Sequence, residues 1–143
     1  MKLNGYKIVN EFLGFGKKKE HVVGMTVIPD CYAGFYKDSS QILAKGSQPD
    51  YGSNDAKILI FDIGSEFKIM IGLDATIPVP YNKIKAIKKL VNPKKTDEIF
   101  GVAIFMKDSH TLRGMTGIYT YSLKNSFDPL IKQFRKHGLL KWN

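Results

Sequence analysis

Two apolar runs separated by a glycine constrain this chain more than any other feature. Lys57 to Ile63 is a nearly continuous apolar run, and after Gly64 and Ser65 the residues Phe67, Ile69, Ile71 and Leu73 alternate with Lys68, Met70 and Gly72. That two-residue period belongs to an extended strand, whose side chains point to opposite faces in turn. Glycine accepts the positive φ of tight hairpin turns, so the pair Gly64-Ser65 predicts a β-hairpin.

The rest of the chain extends the β pattern. His21 to Ile28 is rich in Val, Met, Thr and Ile and predicts a strand stopped by Pro29, which cannot donate to a ladder. Cys31 to Leu43 has a mixed pattern. Ser47, Pro49, Asp50, Gly52, Ser53 and Asn54 make the stretch from Gly46 to Asp55 a long, mobile loop, extending to about residue 56. Asn82 to Val91 fits two readings, because Ile84, Ile87, Leu90 and Val91 also fall on one side of a helix opposite Lys85, Lys88 and Lys89. After Asn92 and Pro93 a charged turn through Lys94, Lys95 and Asp97 leads into a strand over Ile99 to Met106. Thr111 to Leu123 reads as a curved strand, with Met115, Tyr119, Tyr121 and Leu123 on one face and Gly114 and Gly117 permitting the bend.

Helices belong to the two termini. Ile8, Val9, Phe12 and Leu13 suit a short amphipathic helix within Tyr6 to Phe15, followed by a loop carrying Lys17, Lys18 and Lys19. Near the other end Ser126 or Asp128 can cap a helix whose first turn holds Pro129, whose apolar stripe is Phe127, Leu130, Ile131 and Phe134, and whose C-cap is Gly138. Lys132, Arg135, Lys136 and His137 crowd toward the negative end of that helix's dipole, which accounts for their basicity without any partner.

A chain of 143 residues with 43% apolar composition has the length and the grease for one folded domain. No stretch approaches the ~20 apolar residues of a membrane span, and Asn4, Lys7, Asn10 and Glu11 interrupt any signal-peptide core, which points to a cytoplasmic protein. Cys31 is the one cysteine and reads as a buried, inert thiol. The net charge of +9 attracts polyanions at low salt, but only Arg113 and Arg135 are arginines. Lysine lacks the planar fork that grips phosphate or guanine bidentately, so specific nucleic-acid reading is disfavoured.

Several short strands followed by one C-terminal amphipathic helix is the order of elements in pleckstrin-homology-like domains. The phrase Ile77-Pro78-Val79-Pro80-Tyr81-Asn82-Lys83-Ile84-Lys85 resembles the Ile-Pro-Tyr-x-x-Ile turn of bacterial members of that family. The likeness runs from about Lys57 to Gly138, leaving residues 1–56 outside it. It implies an antiparallel β-barrel or sandwich, mainly β within the α+β class. In it the turn leads into a strand, tilting Asn82 to Val91 toward β, and the final helix plugs one barrel end with Leu130, Ile131 and Phe134. Only Lys17 to Lys19 stand where the phosphoinositide-binding branch places its basic hairpin loop, so inositol phosphate recognition is not implied. Trp142 follows the helix rather than lying in it, and reads as a cap on the rim.

No catalytic, cofactor or metal constellation is expected. His21, His110 and His137 are far apart in sequence and lack paired ligand spacing. A calcium loop starting at Asp50 fails because Asp55 replaces the turn glycine and Phe61 the bidentate glutamate. Gly14-Phe15-Gly16-Lys17 lacks the upstream glycine and the Ser/Thr of a phosphate loop.

The expected function is therefore a non-enzymatic binding module without cofactor, and a protein is the first partner to consider. Lys17, Lys18, Lys19, Lys85, Lys88, Lys89, Lys94 and Lys95 either converge into one patch or stand as separate solvated residues. Convergence would give peripheral binding to anionic lipid surfaces or non-specific contact with nucleic acid, with Tyr119 and Tyr121 near Arg113 as stacking platforms. Self-association is compatible with each of these readings.

Overall fold

The computed structural model describes residues 24–73, 75–92, 94–108 and 112–140. The predicted helix over Tyr6 to Phe15, Lys17 to Lys19, His21, His110 and Trp142 lie outside them.

Among the described residues seven strands form one antiparallel sheet curled into a half-barrel, with a single α-helix after the last strand. They are β1 (Met25–Tyr36), β2 (Tyr51–Phe61), β3 (Glu66–Ile71), β4 (Ala75–Pro80), β5 (Ile84–Asn92), β6 (Lys95–Met106) and β7 (Gly117–Tyr121). The order across the sheet is β4-β3-β2-β1-β7-β6-β5, so the two strands joined by the Pro-Tyr turn are its two edges. Alternation decides the inner face. Ile58, Ile60, Phe67, Ile69, Val79, Ile104 and Ile118 point inward and are buried.

The predicted hairpin of β2 and β3 forms, pairing Ile58 with Ile69 and Leu59 with Lys68, but its turn takes in Asp62 and Ile63 as well as Gly64 and Ser65. Asn82 to Val91 resolves as strand. Tyr81–Lys83 makes one 3-10 turn and β5 follows, paired along β6.

Pro29 does not stop the first strand. Ile28 pairs with Ile58 and Cys31 with Ala56, so one extra residue of β1 is bulged out over Pro29-Asp30, and Asp30 takes φ 55°. The bulge removes the ladder position at which proline's missing N–H would matter. β1 then continues to Tyr36 and pairs with β7 as well as β2, which joins the two halves of the sheet.

The predicted loop from Gly46 onward is a loop only to Asp50, since Tyr51 to Ala56 belongs to β2. The segment before it folds back on the outer face of the sheet. There Ile42 is buried with Tyr36 and Ala103, and an added methyl on Gly117 would lie 2.5 Å from Ile42 Cδ1. The Thr116 hydroxyl accepts from the Ser39 N–H and donates to the Lys37 carbonyl, fastening the same segment.

The stretch Thr111 to Leu123 is strand only over β7, and its core face is Ile118 and Thr120 rather than the tyrosines. Ile63, Leu73 and Leu123, read from the pattern as strand residues, are 90%, 97% and 86% exposed because each lies just beyond its strand, in a turn.

The helix α1 (Asp128–Lys136) closes one end of the half-barrel with Phe127, Leu130, Ile131 and Phe134 inward. Phe127 stands at the N-cap position. The Ser126 hydroxyl, predicted as a cap, accepts the Asp128 N–H, which satisfies one of the helix's orphan donors. At the other end Gly138 takes φ 75°, its N–H reaching the Arg135 carbonyl while Leu139 N–H reaches that of Phe134. This pair of bonds is a Schellman stop. Phe134 meets Phe67 and Tyr81 edge-on, and His137 stacks on Tyr81 at 4.1 Å.

Candidate functional site

The edges of the sheet differ in chemistry. β4 carries Pro78 and Pro80, which cannot donate to an added strand. β5 reads Ile-Lys-Ala-Ile-Lys-Lys-Leu-Val-Asn, has no proline, and pairs on one side with β6, while among the described residues no strand lies on its other side. Its three lysines do not share a face. Lys88 pairs with Ala103 on the outer face, Lys89 pairs with Val102 on the inner face, and Lys85 falls in the register shift between Ile84 and Ala86. Lys85 and Lys88 are exposed, Lys89 is half-buried, and Lys94 is exposed in the turn after β5. Lys95 opens β6. The candidate lysines that the structure describes thus follow one edge of the sheet.

Cys31 is buried against the carbonyls of Ile28 and Pro29 at 3.4 and 3.5 Å. Burial first, and the Asp30 charge second, push its pKa up to about 12. A thiol so disfavoured as thiolate is a structural group, since the thiolate is the nucleophile. Among the described residues no three His, Cys, Asp or Glu side chains come together as a metal set, and no helix is long and apolar enough to cross a membrane.

Tyr119 and Tyr121 do not meet Arg113. They share the outer face with Tyr32, their rings 5.6 Å apart and 6.5 and 5.3 Å from that of Tyr32. With Tyr36, Phe100 and Pro49 they border a shallow groove of about 290 Å³. Arg113 instead belongs to a concavity that sequence reasoning missed.

That concavity lies inside the curl, at the end away from α1. Phe35, Tyr51, Ile71, Ala75, Ile77, Leu112 and Met115 line about 300 Å³, and among the described residues Arg113 is the one charged member of the lining. Leu112 to Met115 is a tight turn. Met115 N–H reaches the Leu112 carbonyl at 3.1 Å, and Arg113 and Gly114 take φ 56° and 89°. Positive φ at both central residues is the type I′ pattern. The sequence signal for it was the residue pair Arg113-Gly114, since a residue followed by glycine marks such turns. It was obscured because asparagine or aspartate, not arginine, normally stands first.

The chain matches no family model, no curated protein and no solved structure.

Proposed function

We propose that this chain is a non-enzymatic binding module built on a pleckstrin-homology-like barrel, and that it binds a protein partner by adding an acidic, extended segment to the edge of β5. The Pro-Tyr turn entering β5 and the helix set into one end of the curl support the family reading. The placement of Lys88 and Lys89 on opposite faces of one edge strand carries the partner reading. A flat membrane or a duplex meets one face of a sheet at a time. An added strand alternates its own side chains across both faces, and so meets both lysines while its backbone takes up the ladder positions that no described strand occupies.

Lysines on an edge also keep two copies of that edge apart. The same charges that repel a second β5 attract a carboxylate-bearing strand, so protection and selectivity come from one feature.

The test is calorimetric titration of the full chain with a ten-residue peptide of Val, Thr and Glu whose carboxylates fall on both faces. Binding should weaken at least tenfold in a Lys85→Glu, Lys88→Glu, Lys89→Glu variant that stays folded by circular dichroism, and on N-methylation of the peptide backbone. Equal binding of the N-methylated peptide would remove the strand-addition reading. Lysine-dependent binding of acidic vesicles or oligodeoxythymidine without any of the peptide would replace it.

A further inference from the structure

We propose that the open end of the half-barrel is a binding pocket for a single-chain fatty carboxylate, with the tail inside the curl and the carboxylate on Arg113. This does not rest on the β5 reading, because the pocket is lined by β1 to β4 and the β6–β7 connection and includes none of the lysines.

The lining decides the tail. Seven of the eight described lining residues are apolar or aromatic, and none of the eight is acidic. Small-molecule sites are typically concave, mainly apolar and oriented by a few polar groups. At about 300 Å³ the concavity is roughly twice the ~150 Å³ of an apolar cavity that takes up benzene, room for a medium alkyl chain. Leu73, between Ile71 and the start of β4, is 97% exposed at the rim and offers an apolar contact where the chain would enter.

The turn decides the head group. Among the described residues Asp30 and Arg113 alone, glycine excepted, have positive φ. Aspartate visits the left-handed region readily and Asp30 occupies a bulge, but arginine there is uncommon. Backbone held in a disfavoured conformation at the mouth of a cavity is a pointer to function. Here the cost sets a guanidinium at a pocket whose other described lining residues carry no charge. Its planar fork matches a carboxylate bidentately.

The experiment is titration of the full chain with carboxyl-¹³C-labelled decanoate below its micelle concentration, read by the carboxyl resonance, with decyltrimethylammonium and decanol as companions. Saturable decanoate binding is expected, at least tenfold tighter than decanol, with none of the ammonium. Arg113→Asn, which suits the turn, should fold at least as well and lose that tenfold preference. Ile77→Trp, which fills the void, should abolish binding of decanoate and decanol alike. Equal affinity for all three amphiphiles, unchanged decanoate binding in Arg113→Asn, or Arg113-dependent sedimentation with phosphatidylglycerol vesicles in the absence of decanoate binding would each overturn the proposal.

Discussion

The half-barrel has two ends with linings of the same character, and the chain treats them oppositely. At one end α1 sets Phe127, Leu130, Ile131 and Phe134 among Phe67, Tyr81 and Ile99, and all seven side chains are buried in one cluster. At the other, Phe35, Ile71, Ile77, Leu112 and Met115 surround a void of about 300 Å³ with nothing set into it from the described chain. Among the described residues there is a single α-helix, and it fills one mouth. The core cluster reaches both ends, since Phe35, Ile71 and Leu112 belong to it, but only the end beneath α1 is filled by a packed helix.

Phe134→Ala should show the largest effect, because it removes the ring that touches both Phe67 and Tyr81 and leaves a cavity the surrounding strands cannot collapse into. A loss of about 3 to 5 kcal/mol in urea unfolding is expected. Met115→Ala at the open end should cost only about 1 kcal/mol, since Met115 is half-buried and already borders empty space. Equal losses would mean that both ends are packed alike, contrary to the comparison.

Gly138→Ala comes next and probes the plug's last turn. An added methyl there meets nothing within 4 Å, so the penalty is conformational alone, from φ 75°. A loss of about 1 to 2 kcal/mol is expected in the same unfolding experiment. The Leu139 bond to the Phe134 carbonyl should loosen with it, and would be seen as faster amide exchange at Leu139.

The plugged end was legible in the sequence and the open end was not, for a physical reason. The stripe Leu130, Ile131 and Phe134 with its Gly138 stop is local, as is the hairpin around Gly64, and each can be read from neighbours a few residues apart. The open end is assembled from Phe35, Tyr51, Ile77 and Met115, which meet only when β1 to β4 curl against the β6–β7 connection. The bulge that carries β1 through Pro29 has the same non-local origin, because a partner strand has to absorb the extra residue. The lysines of β5 were identified by type, but their division between two faces followed only once strand had been chosen over helix. Tyr119 and Tyr121 share one face of β7 as their spacing predicts, but which face looks inward is set by the partner strands, with Ile118 inward and the tyrosines outward beside the folded-back segment.

Tyr81→Phe should raise stability. The Tyr81 hydroxyl is buried beneath α1 without a hydrogen-bond partner, and deleting an unsatisfied buried polar atom is worth about 1 kcal/mol. Burial also raises its pKa from 10 to about 12. The neutral phenol is the native form, so its contribution is complete below pH 10 and disappears as the pH climbs through 12. Cys31, raised from 9 to about 12, adds a loss with the same sign that begins near pH 9. In urea melts across this range Tyr81→Phe should flatten the decline above pH 10 and retain the part due to Cys31. An unaltered slope would show that the ring is not buried by the helix.

Arg113→Asn has the smallest expected effect and the sign opposite to Gly138→Ala, although both positions hold left-handed backbone. At Gly138 the conformation suits the residue, and a side chain imposes strain. At Arg113 the strain is already present, and asparagine, which enters that region readily and favours type I′ turns, relieves it. A gain of up to about 1 kcal/mol is expected, less for Arg113→Gly, whose unfolded chain is freer. A loss on Arg113→Asn would mean that the guanidinium braces the β6–β7 connection. The open end would then owe its arginine to stability, as the plugged end owes its helix, and the two ends would differ only in how tightly they are filled.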